Sequence, residues 1–329
     1  MLSSMQIETL GEARFQSPLR RRWVNDRLRV PEHLVFEEGS LPKPGGSFEL
    51  AGPREKIFFN PAKCRAGIVT CGGLSPGLNN VIRSIFLELH HNYGVRQVLG
   101  FRDGYQGLDP ERGREPITLT PELVDDIHKD GGTILGTSRG PVDTRIAVDN
   151  LIRRGIDILF TVGGDGTQRG GRDLYNEARS RGRPLAVVGV PKTIDNDVMY
   201  VDRTFGYLTA VEEAAHVLEC AHMEAHSVQN GISIVKLMGR EAGFIAAGAT
   251  VASQDVNFTL IPEVPFKLEG EGGFLLALKD RVLKRAHALI VVAEGAGQDL
   301  LNNDANRRDA SGNKKLADIG AFLRDSIQA

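Results

Sequence analysis

The heptapeptide TVGGDGT (residues 161–167) constrains the fold of this chain more than any other stretch. The run before it, residues 156–162, is apolar apart from Asp157 and Thr161, as in a strand covered on both faces of a parallel sheet. Two glycines then let the backbone approach a ligand closely, and Asp165 follows at the strand's carboxyl end. Thr167 is placed to open a helix, whose free N–H groups and positive dipole end suit a phosphate. An oxygen ligand for Mg²⁺ beside a glycine turn and a helix N-terminus is equipment for a nucleotide polyphosphate. Taken alone, the same residues also describe an ordinary tight βα turn with a solvated aspartate.

Length leaves room for about two domains around cores of real size, since the chain has 329 residues. The formal net charge of −2 gives no electrostatic reason to expect nucleic acid or an anionic membrane as partner. Cations for an anionic substrate must therefore be placed locally. Cys64, Cys71 and Cys220 make no disulfide framework, which fits a reducing compartment. Cys71 lies in a glycine-rich loop, where it reads as a small buried hydrophobe. No apolar run approaches membrane-spanning length, and the N-terminus lacks a signal-peptide core. A cytoplasmic protein is expected.

Residues 1–60 read as an N-terminal extension. Arg14, Arg20, Arg21, Arg22, Arg27 and Arg29 crowd its first half, and Pro42, Pro44, Gly45 and Gly46 mark a loop. Glu37, Glu38 and Glu49 balance the arginines, so a solvated face is expected. From Cys64 the pattern becomes regular βα alternation. Strands are expected at 66–70, 95–101, 156–162 and 184–190. Helices are expected at 79–89, 120–129 and 143–154, with another from Thr167 to near Arg183. This forms a first lobe, residues 61–203. A second series, residues 204–329, carries helices near 206–223, 241–252, 271–285 and 316–328. Its strands fall near 232–237, 257–262 and 287–294. The expectation is an α/β fold of two Rossmann-like parallel-sheet lobes with a cleft between their strand ends.

Two other sites are set aside. Strand, CGGLSPG turn (residues 71–77) and helix form half of a mononucleotide unit, but a dinucleotide site wants an acidic residue about 20 positions on. That neighbourhood holds His90, His91 and Tyr93, and Asp103 sits in a glycine turn. His216, Cys220, His222 and His226 have helical spacing, but the pairs 216/220 and 222/226 fall on opposed faces, so no zinc site is expected.

About one βα unit after TVGGDGT comes PKTIDND (residues 191–197), which puts Asp195 and Asp197 on a turn at the next strand end. Two carboxylates that close take different roles, one as a base and the other holding an amide or assisting a metal. Phosphoryl transfer needs an Mg²⁺ anchor, donors around the moving group, and a base near the accepting hydroxyl. Asp165 supplies the first; Gly73, Gly164, Gly166 and Arg139 supply the second; Asp195 or Asp197 supplies the third.

CGGLSPGLNNVIR, GTSRGP, GGDGT, PKTIDND and MGR, in this order between residues 64 and 297, resemble the ATP-dependent 6-phosphofructokinases. The likeness is nearest to the plant, protist and bacterial branch related to the pyrophosphate-dependent enzymes. It implies that Gly73, Arg139, Gly140, Gly164, Asp165, Gly166 and Thr167 contact ATP, with Asp165 on Mg²⁺. It implies that Asp195 takes the proton from the 1-hydroxyl of fructose 6-phosphate. Thr193, Ile194, Asp195, Met238, Gly239, Arg240 and Glu294 are then the residues at the sugar. A homo-oligomer, dimer or tetramer, with allosteric control is also implied.

Pyrophosphate users carry a second aspartate where Gly166 stands. A carboxylate there would occupy and repel the space wanted by the α-phosphate of ATP, and glycine leaves it open. Lys192 is shared with the pyrophosphate users, so the signature is mixed; Gly166 is weighed more heavily and ATP is expected. Well-studied bacterial enzymes place an arginine from a neighbouring subunit on the 6-phosphate, at a position that is Gly231 here, and Lys236 is a weak substitute. Family members also continue past the last strand into further basic residues, whereas this chain ends at Ala329. An incomplete sugar-phosphate site and poor turnover are the expectation. Competing readings are a pyrophosphate-dependent enzyme, a lipid or NAD kinase that shares GGDGT without PKTIDND and MGR, and a non-catalytic sugar-phosphate or nucleotide sensor.

Overall fold

Parallel strands that are apolar on both faces need helices on both sides, and both parallel sheets of this chain are built that way. The computed structural model describes residues 8–20, 23–31, 46–301 and 315–329. The chain divides into two units, Met1–Pro191 and Lys192–Ala329. The second takes in 192–203, which the sequence pattern counted with the first lobe.

The first unit opens with four short strands, β1 (Phe15–Gln16), β2 (Arg29–Pro31), β3 (Ser47–Glu49) and β4 (Lys56–Ile57). They pair antiparallel as β1–β4 and β2–β3. Strands of two or three residues carry no readable alternation, so the sequence did not resolve them. Arg14 pairs with Glu12, and Arg29 with Glu49, on solvent-facing surface. Arg21, Arg22, Glu37, Glu38, Pro42, Pro44 and Gly45 lie outside the described residues.

The main sheet comprises β5 (Arg65–Thr70), β6 (Gln97–Phe101), β7 (Ile117–Thr118), β8 (Ile158–Gly163) and β9 (Ala186–Pro191). Its order is β7-β6-β5-β8-β9, all parallel except the edge strand β7. The connecting helices are α1 (Leu78–Leu87), α2 (Pro121–Val124), α3 (Thr144–Arg153) and α4 (Asp165–Ser180). On one face Val69, Phe101 and Leu159 pack with Ala147, Val148 and Leu151 of α3 and Leu174 and Ala178 of α4. Truncating a buried leucine such as Leu151 to alanine would cost about 2–5 kcal/mol. Apolar spacing on α1 buries Leu78, Ile82 and Phe86, and the helix runs on into a π-helical turn, Glu88–Asn92.

In this unit the second and fourth helices differ from expectation. The helix expected over 120–129 is two pieces, α2 and a 3₁₀ turn at Ile127–Lys129. Thr120 caps α2 by accepting from Leu123 N–H, but Asp125 and Asp126 then stand at its negative end, where carboxylates are disfavoured. The helix after GGDGT starts at Asp165, not Thr167, because the N–H groups of Thr167 and Gln168 both donate to the Gly164 carbonyl.

In the second unit, helices α5 (Tyr207–Ser227), α6 (Phe244–Ser253), α7 (Phe274–Arg285) and α8 (Ile319–Gln328) surround strands β10 (Gly231–Leu237), β11 (Phe258–Leu260) and β12 (His287–Ala293). The strand order is β10-β12-β11, all parallel. HALIVVA in β12 shows why it is central. Leu289, Val291 and Ala293 face Ala214 and Leu218 of α5 and Ala246 and Ala249 of α6. Ala288, Ile290 and Val292 face Phe274 and Leu278 of α7 and Ile319 and Leu323 of α8. The start expected for α6 at 241 moves to Phe244, since both oxygens of Glu263 accept from Gly243 N–H and hold the preceding turn outside the helix. Among the described residues no helix is long and apolar enough to cross a membrane.

Candidate active site

In the first unit, the loop after β5 and the loop before α3 are tied together. Gly72 N–H donates to the Ser138 carbonyl at 3.0 Å, and Thr137 Oγ1 donates to the Gly72 carbonyl at 2.7 Å. Thr70, at the end of β5, donates through Oγ1 to the Gly136 carbonyl at 2.8 Å. These bonds bring Gly73 and Arg139 together: a Cβ on Gly73 would stand 3.8 Å from an Arg139 guanidinium nitrogen. Arg139 and Gly140 are exposed. Gly140 holds a left-handed backbone (φ +106°) with no atom within 4 Å of where a Cβ would be.

The GGDGT turn itself is held by packing. A Cβ on Gly163 would lie 2.2 Å from Thr167 Oγ1, so glycine lets the buried Thr167 close onto the strand end. Tyr105 Oη donates to the Thr167 carbonyl at 2.6 Å. Burial pushes the Tyr105 phenol far above its ordinary range, so it is a neutral donor. Asp165 is exposed in the first turn of α4, with Gly164 as N-cap, at the positive end of the helix dipole. Around Gly166 a Cβ would meet nothing within 4 Å. Among the described residues no three His, Cys, Asp or Glu side chains converge to hold an ion. A dication at Asp165 would have one carboxylate from the protein and would need its other ligands from a bound phosphate and water. That is the habit of Mg²⁺, and these residues fit it.

Strands β8 and β9 pair in parallel with Gly163 opposite Pro191, so the GGDGT turn and the chain entering Lys192 leave the sheet at one edge. Lys192 is 8% exposed, so its charge sits in a largely dehydrated place.

In the second unit, Asp195 stands at the centre of a charged group. Its N–H donates to Thr193 Oγ1 at 3.1 Å. Its carboxyl group is raised above the ordinary carboxylate range, first by burial, then by the negative charges of Asp197 and Glu294. The backbone N–H and the guanidinium of Arg240 pull it partly back. Asp195 Oδ1 is buried with no hydrogen-bond partner. A half-desolvated carboxyl with a free lone pair is what a general base requires. Asp197 is exposed, so the environments of the two aspartates separate roles that their spacing left open. Between them Asn196 adopts a left-handed backbone (φ +58°). Its Oδ1 accepts from Thr204 N–H at 2.8 Å, and its Nδ2 donates to the Asp202 carbonyl at 3.2 Å. The sequence pattern placed Asn196 in the turn without a role, although an asparagine between two aspartates is a ready left-handed turn residue.

Met238, Gly239 and Arg240 follow β10, and Glu294 follows β12. Leu237 pairs with Ala293, and Glu294 N–H donates to the Leu237 carbonyl at 2.9 Å, which puts both groups at one end of the second sheet. Gly239 is left-handed (φ +132°), and a Cβ there would lie 2.4 Å from the Ala242 carbonyl oxygen. Met238 is 53% exposed, and Thr193 and Ile194 are half-buried.

Other features lie apart. A Cβ on Gly231 would be 2.1 Å from the Ala225 carbonyl oxygen, so this backbone leaves no room for a side chain at the position that the resemblance aligns with an arginine. Lys236 is committed to Asp318 at 2.8 Å, and Asp318 also caps α8. His222, His226 and His287 form a ring cluster with centroids 5.0 to 6.0 Å apart. An apolar cavity of about 500 Å³ lies between α1, residues 57–61 and the Ile158–Phe160 part of β8. None of the candidate site residues lines it.

Comparisons with known proteins agree on one family. The family model described as Phosphofructokinase matches residues 65–328. The chain is 46% identical over 322 residues to ATP-dependent 6-phosphofructokinase 4, chloroplastic, of Arabidopsis thaliana, covering 97% of this chain and 60% of that protein. It is 51% identical over 336 residues to ATP-dependent 6-phosphofructokinase of Trypanosoma cruzi, covering 99% of this chain and 68% of that one. Among solved structures, phosphofructokinase from Saccharomyces cerevisiae matches with a TM-score of 0.65 at 28% identity, over 80% of this chain and 36% of that chain.

Proposed function

Since the chain belongs to the phosphofructokinase family, we propose that it transfers the γ-phosphoryl group of ATP to the 1-hydroxyl of fructose 6-phosphate. The products are fructose 1,6-bisphosphate and ADP. The observation that carries this reading is Asp195: buried, raised in pKa, with one oxygen free, and beside Arg240 and Glu294. Asp195 takes the proton of the 1-hydroxyl as that oxygen bonds to the γ-phosphorus, and the bond to the β-phosphate oxygen breaks with its electrons leaving on ADP. Thr193, Ile194, Met238, Gly239, Arg240 and Glu294 orient the sugar.

On the donor side, Gly73, Arg139, Gly140 and the first turn of α4 through Thr167 receive the polyphosphate by amide N–H groups and one guanidinium. Asp165 would hold Mg²⁺, which when bound neutralises charge on the β- and γ-phosphates. Gly166 supports ATP over pyrophosphate: it leaves open the space that an added carboxylate would fill with negative charge. Lys192, common to pyrophosphate users, weighs the other way and less.

Self-association as a dimer or tetramer and a cytoplasmic location belong to the same proposal, and sedimentation of the purified chain reads the first. A rate assay with Mg²⁺ and fructose 6-phosphate, comparing ATP with pyrophosphate, tests the reaction. Product with ATP and little with pyrophosphate is expected; the reverse preference overturns the donor assignment, and no product with either overturns the reaction.

A further inference from the structure

Gln168, in the first turn of α4, hydrogen-bonds back to two strand ends. Its Nε2 donates to the Gly163 carbonyl at 2.9 Å and to the Val190 carbonyl at 3.2 Å. Gly163 ends β8, and Val190 is the last residue but one of β9. In the ladder Gly163 pairs with Pro191, so one amide spans the ends of two neighbouring strands. Room for it comes from Gly189, where a Cβ would stand 1.9 Å from Gln168 Oε1. Any side chain at 189 would push the amide out.

The two bridged carbonyls lie where two turns leave the sheet. Beyond Gly163 comes Asp165, and beyond Val190 and Pro191 comes the Lys192–Asp197 segment. We propose that Gln168 is a positioning residue that ties the first turn of α4 to the ends of β8 and β9, and so fixes Asp165 and the donor-side turn on the sheet. The inference rests on the phosphoryl-transfer reading above. Alignment of reacting groups is steep in distance: a misplacement of about 1 Å can cost about 100-fold in rate. An ordinary helix-to-strand tie would instead stabilise the fold and leave turnover of the folded protein unchanged.

Two variants of the full chain separate these roles. Gln168→Leu removes both donated hydrogen bonds while keeping an apolar body, and Gly189→Ala ejects the amide without altering Gln168. Below the melting temperature, each should lower kcat at least about tenfold, with both KM values within about threefold, the signature of lost alignment. Amide hydrogen exchange over residues 163–167 should quicken in both variants, with exchange in the rest of α4 unchanged. Full kcat in folded Gln168→Leu, or unchanged exchange in that turn, overturns the proposal. If the unaltered chain makes no product, the functional reading fails, and exchange alone then decides: faster exchange in that turn upholds the bridge and unchanged exchange refutes it.

Discussion

The backbone N–H of Arg240 is hydrogen-bonded to the carboxyl group of Asp195, while Oδ1 of the same carboxyl is buried without a partner. One oxygen is held and the other is left available. Replacing Asp195 by Asn keeps shape and volume but removes both base and charge. We expect kcat to fall by roughly 10²–10⁴-fold, with KM for either substrate changing little. Loss of substrate binding in parallel with kcat would mean that Asp195 is an anchor and not a base.

The raised pKa of Asp195 gives two pH effects. The base acts only when ionised, so the acid limb of kcat/KM should lie above the ordinary aspartate value of about 3.9. A folded-state pKa raised above the unfolded one means that the stabilising contribution is present below the unfolded pKa and lost as pH rises through the folded one. At neutral pH the ionised carboxyl therefore costs stability, and Asp195→Asn should raise the thermal midpoint. Below about pH 3.9 that gain should vanish. A midpoint difference independent of pH would contradict the assigned shift.

Gly166→Asp tests donor choice. Nothing stands within 4 Å of a Cβ at 166, so the fold should accept the change and the thermal midpoint should stay put. The KM for ATP should rise about tenfold or more, in line with about 1.4 kcal/mol of added repulsion, while that for fructose 6-phosphate moves much less. Equal weakening of both would count against the charge argument.

Asn79 links the start of α1 to the loop before GTSRG. It is 2% exposed, donates to the Asp130 carbonyl at 3.0 Å and accepts from Ile134 N–H at 2.9 Å. Asn79→Ala removes two part-buried hydrogen bonds, each worth about 0.5–1.5 kcal/mol. Chemical denaturation should show the loss. A neutral effect would mean that water replaces both bonds.

What could be read from the sequence was what is local in the chain. HALIVVA and the run into Gly163 announced buried parallel strands, and GGDGT and PKTIDND named their own turns. Edge strand β7 was too short to leave a pattern, and the break after α2 turned on the placement of Asp125 and Asp126. Gln168 and Gly189 are separated by a helix and most of a strand, and neither is unusual alone; only the fold shows that one fills the space the other vacates. Gly231 was likewise read as a missing arginine, whereas its packing on the Ala225 carbonyl excludes any side chain.

The most direct test follows the transferred group itself. The chain, Mg²⁺ and fructose 6-phosphate are incubated with ATP labelled in its γ-phosphoryl group, and the label is located in the products. The account predicts label on the 1-position of the sugar bisphosphate, and almost none there with Asp195→Asn. Label found only in inorganic phosphate, or transfer to the sugar undiminished in Asp195→Asn, would contradict it.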